Sequence, residues 1–119
     1  MFHAIKNKVQ LIGRLGAKPV VKSFESGKKL AQFDLATSET YRNAKGEKVT
    51  ETQWHKVVAW GKLAETIEKY LDKGREVAVE GKLVNRSYTD KAGSKKYICE
   101  VQASELLMLG AKPDVDSRG

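Results

Sequence analysis

The chain has 119 residues, one ordinary domain's worth, with 40% hydrophobic and 31% charged residues, a soluble globular composition. Its single cysteine, Cys99, excludes an internal disulfide and a multi-cysteine zinc site, and no apolar run approaches the length of a membrane span. The formal charge is +7, and the excess is uneven: Met1–Lys62 holds 12 basic and 5 acidic residues, while Leu63–Gly119 holds 10 of each. A charge excess confined to part of a chain can make one basic face, the footprint of a polyanion binder, although a basic protein can also be merely soluble.

The N-terminus, MFHAIKNKVQ, lacks the long apolar region of a signal peptide, so an intracellular protein is expected, and Met1–Lys6 reads as a loose arm. Asn7–Gly13 alternates at Val9 and Leu11 and reads as a first strand. Lys18-Pro19 breaks the chain, because proline lacks an amide donor. Val20–Phe24 and Leu30–Thr37 are short strand candidates, joined through the turn glycine of Glu25-Ser26-Gly27-Lys28. Ser38–Thr50 is polar and reads as a long, mobile hairpin whose tip carries Arg42, Lys45 and Lys48, with Tyr41 its only aromatic.

Thr52–Lys62, TQWHKVVAWGK, has the alternation of a strand. Trp54, Lys56, Val58 and Trp60 share one face; His55, Val57 and Ala59 share the other. Val57 and Ala59 suit a core. Two flat aromatic surfaces beside a cation suit stacking on bases along a phosphate chain. The bland alternative places both tryptophans in the core or at a subunit interface.

After Gly61 the period becomes helical, with Leu63, Ile67, Tyr70 and Leu71 recurring, Tyr70 expected in the core, and a stop at Gly74. Arg75–Asn85 returns to alternation, with Val77, Val79, Gly81 and Leu83 on one face. Arg86–Lys95 contains Tyr88 and the turn signal Asp90-Lys91-Ala92-Gly93. Lys96–Ala103 reads as a last strand in which Cys99 is a buried, inert thiol, and Glu105–Leu109 either extends the sheet or starts a short helix. The fold expected is all-β with one helix: a five-stranded Greek-key barrel with the helix between its third and fourth strands, the OB-fold arrangement, over residues 1–109. Gly110–Gly119 reads as a short disordered tail.

Four blocks carry a resemblance: NKVQLIGRLG, FDLATSET at Phe33–Thr40, TQWHKVVAWGKLAE at Thr52–Glu65, and YLDKGREVAVEGKL at Tyr70–Leu83. In their order and spacing they resemble the bacterial single-stranded DNA-binding protein (SSB) family, over about Asn7 to Leu109. The resemblance implies an OB-fold homotetramer that wraps single-stranded DNA with little sequence preference in replication, recombination and repair. It implies a cytoplasmic, nucleoid-associated place, no cofactor, no metal, no membrane and no catalysis. By motif, the stacking positions fall on Trp54, Trp60, Tyr41 and Tyr88, and the phosphate contacts on Lys8, Lys62, Lys73 and Arg86. Arg42, Lys45, Lys56 and Lys82 join them on position alone. His55 matches a family histidine at a subunit interface. Family members usually end in a glycine- and proline-rich tail with an acidic tip that recruits replication and repair proteins. This chain ends KPDVDSRG, so the resemblance carries no expectation of such partners.

Two other functions compete. A nuclease needs clustered carboxylates or histidines around metal ions, and this chain has only His3 and His55, with its acids scattered at Asp34, Glu39, Glu80 and Glu100. A small OB-fold replication-restart adaptor would bind single strands weakly as a dimer. Retention of four aromatics argues against it, and the missing acidic tip leaves it open.

Overall fold

The computed structural model describes residues 6–110; the expected N-terminal arm, except Lys6, and the expected tail, except Gly110, lie outside the described residues. Its elements are β1 (Val9–Leu15), β2 (Val20–Ser23), β3 (Lys29–Arg42), β4 (Lys48–Trp60), α1 (Lys62–Tyr70), β5 (Glu76–Thr89) and β6 (Lys95–Leu109). Five of the strands close into a barrel in the order β1-β5-β6-β4-β3, with β3 returning to β1 at Arg14↔Ala36 and Leu15↔Leu35. The β4–β6 contact is parallel and short, Val57↔Val101 and Val58↔Gln102; the other pairings are antiparallel. β2 is a four-residue edge strand that, among the described residues, pairs only with β3, outside the five-stranded barrel. The helix sits between the third and fourth barrel strands, as the OB-fold requires.

Two glycines make the closure possible. A Cβ on Gly13 would lie 2.1 Å from the Ala36 carbonyl oxygen, so only glycine lets β1 approach β3 there. A Cβ on Gly81 would lie 2.1 Å from the Gln102 carbonyl oxygen, beside the register shift between Glu80 and Gly81 that bends β5 around the barrel.

The inward pleat delivers the core: Leu15, Phe33, Leu35, Val57, Ala59, Val77, Val79 and Val101, with Ala64, Ile67 and Leu71 from α1 and its exit closing it. Burying each large side chain contributes about 1.5–3 kcal/mol. Tyr70 departs from the expectation and is 52% exposed. Ala64, Ile67 and Leu71 define the buried stripe, and at 100° per residue Tyr70 falls on the flank of Leu63, itself only half-buried. Cys99 is also exposed, not buried. The core ends near Val101, and Cys99 stands opposite Asn85 in the part of β6 that runs beyond it.

That extension is a third difference from the sequence reading. The β3–β4 ladder continues to Arg42↔Lys48, so Ser38–Thr50 is mostly paired strand and only residues 43–47 turn. Hydroxyl pairs Ser38–Thr52 and Thr40–Thr50, each 3.2 Å, bridge the polar ladder. Likewise β5–β6 runs to Thr89↔Lys95, and Glu105–Leu109 extends the sheet. Because β4 and β6 run parallel, the two hairpins project from the same end of the barrel. Their tips share one build: Gly46 and Gly93, at φ 80° and 87°, donate to the carbonyls of Asn43 and Asp90, whose side chains accept two further amides each.

Candidate nucleic-acid interface

The pleat of β4 decides which residues meet solvent. Val57 and Ala59 point inward and are fully buried; Trp54, Lys56 and Trp60 point outward. Trp54 is 61% exposed and Trp60 46%, so neither belongs to the core of this chain. Trp54 has a built seat. It stands opposite Ala36, and its ring lies so close over Gly16 that a Cβ there would be 2.5 Å away. Trp60 stands opposite Leu30, with its ring stacked on Phe24 at a centroid distance of 5.9 Å and 26° between planes. Six residues of strand separate the indoles, roughly 20 Å. Lys56 lies between them, opposite Asp34. Val58, on the same outward pleat, is buried.

The β4–β6 contact carries this face onward. Val58 lies beside Gln102, and Gln102 pairs with Lys82 on β5. Arg86 and Tyr88 follow Lys82 on the same pleat, opposite Ile98 and Lys96. Trp54, Lys56, Trp60, Lys82, Arg86 and Tyr88 therefore share the outer surface of β4, β6 and β5. Arg86 is not a loose cation. Its Nε and Nη2 donate to the two carboxylate oxygens of Glu100 at 3.0 and 2.8 Å, and Glu100 is 4% exposed. The hydrogen bond to Glu100, then its charge, raises the Arg86 pKa above its ordinary value.

Other expected residues sit elsewhere. Tyr41 lies on the opposite pleat of the β3–β4 hairpin, across from Val49, and its hydroxyl donates to Glu51 at 3.4 Å. Arg42 is on the outward pleat, opposite Lys48, and donates to the Gly46 carbonyl at 2.8 Å; Lys45 is exposed at the tip. Lys8 pairs with Glu80 at 3.3 Å, at a shallow cavity of ≈ 390 Å³ that Lys82 and Gln102 also line. Hydrogen bonds from Gln10 and then Lys8 hold the Glu80 carboxyl below its ordinary value. Lys62 opens α1 and is exposed; Lys73 is exposed past its end, in a cavity shared with Arg14 and Glu76. His55 faces inward and is half-buried, its Nε2 2.9 Å from the Thr37 hydroxyl.

Sequence reasoning passed over three residues that the fold brings to this surface. Phe24 is one. Lys18 and Lys22 are the others, and with Lys56 they line a cavity of ≈ 300 Å³ beside Asp34. The basic flanks of Pro19-Val20-Val21 were the available signal, but only the packing of β2 against β3 sets them beside Lys56. Among the described residues there is no cluster of three His, Cys, Asp or Glu side chains placed for a metal ion, and no helix long and apolar enough to cross a membrane.

A closed five-stranded barrel with one helix, carrying exposed indoles and lysines on its outer strand face, is an OB-fold of the oligonucleotide-binding kind. The chain belongs to the single-strand binding protein family, whose model matches residues 6–109. It is 48% identical over 107 residues to single-stranded DNA-binding protein 1 of Chlorobaculum tepidum, covering 89% of this chain and 66% of that protein. It is 42% identical over 114 residues to single-stranded DNA-binding protein 1 of Xylella fastidiosa, covering 95% of this chain and 84% of that one. Among solved structures, a Plasmodium falciparum SSB in complex with ssDNA superposes with a TM-score of 0.81 at 37% identity, over 87% of this chain and 95% of that chain. A deletion mutant of the single-stranded DNA binding protein from Thermus aquaticus gives 0.76 at 31%, over 87% of this chain and 50% of that chain.

Proposed function

We propose that this chain binds single-stranded DNA without catalysis and with little sequence preference, in replication, recombination and repair, inside a cytoplasm and on its nucleoid. The observation that carries the reading is the outer face of β4: two exposed indoles with Lys56 between them. Every base has a π-face, so stacking is sequence-tolerant and contributes about 1–3 kcal/mol per base. Duplex DNA hides those faces. Selectivity for single strands then follows from stacking, while Lys56, Lys62, Lys82 and the neighbouring cations track the phosphates. Tyr88 and Arg86 extend the track across β5, Arg42 and Lys45 extend it along the β3–β4 hairpin, and Tyr41 is a proposed stacking position on that hairpin's other face. Lys8 and Lys73 are proposed contacts at the barrel's margins.

The working unit we propose is a homotetramer. Supporting it, Ile12 and Leu107 flank Ala78 in one outward row across β1, β5 and β6, and are 61% and 67% exposed. The outer edge of β1 over Val9–Gly13 has no paired strand among the described residues, which invites pairing with a second copy. His55 is assigned to a subunit contact. The function is tested by fluorescence anisotropy of one labelled oligonucleotide, free and annealed to its complement. Tight binding of the free strand and weak binding of the duplex are expected; equal affinities would leave only a basic surface.

A further inference from the structure

Phe24 and Trp60 come from different hairpins, yet their rings stack offset, with centroids 5.9 Å apart and planes 26° from parallel. Both keep nearly half their surface open, 44% for Phe24 and 46% for Trp60. A pair serving only to close the core would be covered. The backbone beneath them is pinned. Phe24 N–H donates to the Lys28 carbonyl at 2.9 Å, and Gly27 N–H donates to the Phe24 carbonyl at 2.8 Å. Gly27 sits at φ 90°, where a side chain is strained. Next to Trp60, Gly61 N–H donates to the Lys29 carbonyl at 3.0 Å, and Lys29 Nζ pairs with Glu68 on α1 at 2.7 Å. The turn between β2 and β3, the end of β4 and the helix thus hold the two rings in place before any ligand arrives, so little ordering is left to oppose binding.

We propose that the β2–β3 turn carries a further base-stacking position, with Phe24 and Trp60 acting as one two-ring platform for unpaired bases. This rests on the single-stranded DNA reading above. Phe24 covers part of one indole face, so Trp60 presents its other face, and the uncovered face of Phe24 receives a neighbouring base. Lys22 and Lys28, exposed on either side of the turn, meet the phosphates that such a base brings with it.

The test is an oligo(dT) titration of the parent protein, Phe24→Leu and Phe24→Trp at several salt concentrations, with folding followed by urea melts. Phe24→Leu keeps apolar bulk and removes the π-face; Phe24→Trp enlarges it. Phe24→Leu is expected to weaken binding about fivefold or more at unchanged salt slope, and Phe24→Trp to bind at least as tightly as the parent. Binding by Phe24→Leu within about twofold of the parent would overturn the platform. So would a loss that comes with a shallower slope, since that places the effect in the charges. The parent titration separates the two failures: a parent that ignores oligo(dT) removes the function itself, whereas a binding parent with an indifferent Phe24→Leu removes the platform alone.

Discussion

Replacing Gly16 with alanine displaces the Trp54 indole without deleting it. The new Cβ would lie 2.5 Å from one ring carbon and 2.7 Å from another. Carbon atoms settle at about 3.5–4.0 Å, so the ring must retreat by about 1 Å. The ring is the far end of a side chain that is 61% exposed, so the retreat is open to it. The Gly16 N–H bond to the Asp34 carbonyl, 3.0 Å, is unaffected. A misfit of about 0.5–1 Å forfeits about a quarter to a half of the dispersion attraction between two surfaces. Applied to a stack contributing about 1–3 kcal/mol, the loss is about 0.3–1.5 kcal/mol, or roughly two- to twelvefold in Kd. Stability should hold or rise slightly, because replacing glycine reduces the freedom of the unfolded chain. The assay pairs an oligo(dT) titration with a urea melt. Weaker binding at an unchanged or higher urea midpoint is expected; unchanged affinity would refute the claim that this seat sets a stacking indole.

Lys62→Gln should weaken binding to all sequences alike and make the log–log salt slope shallower by about 0.7 for each phosphate no longer neutralised, measured by titration across salt concentrations. Glu80 is held below its ordinary value of 4.5, so it contributes stability that is present above its unfolded pKa and disappears as pH falls through its folded pKa. Urea midpoints of Glu80→Gln and the parent should differ at neutral pH and converge in acid; a constant difference would contradict the Gln10 and Lys8 hydrogen bonds as its source. Ile12→Glu places a charge in the exposed apolar row of β1, and light scattering should report a mass below four copies, against four for the parent.

Much of this surface was legible from β4 alone. The alternation from Trp54 to Trp60 sorts indoles from Val57 and Ala59, and the structure keeps that pleat, with Val58 alone of its outward residues buried. The β3–β4 extension was not legible, because Ser38–Thr52 is polar apart from Tyr41, Ala44 and Val49, too few to read as an alternation. The Asn43 and Asp90 turns that end the two hairpins depend on side-chain hydrogen bonds. Tyr41 shares the inward pleat with Leu35, a parity the sequence contains once β3 is known to run unbroken between them. Arg86 reads as a free cation until the β5–β6 register sets it opposite Ile98 and within reach of buried Glu100. Phe24 joins Trp60 only through the three-dimensional return of β2 onto β3, which no local pattern announces.

The central claim is that Trp54 and Trp60 stack on unpaired bases. Stacking changes the surroundings of the indole directly, so intrinsic tryptophan fluorescence reads it without a label. These are the only two tryptophans in the chain. Titrating the protein with oligo(dT), and in parallel with duplex DNA of the same length, gives the most direct test. Strong, saturable quenching by oligo(dT) that persists at high salt, with far less from duplex, is the result predicted. Equal quenching by both, or quenching that salt abolishes, would contradict it.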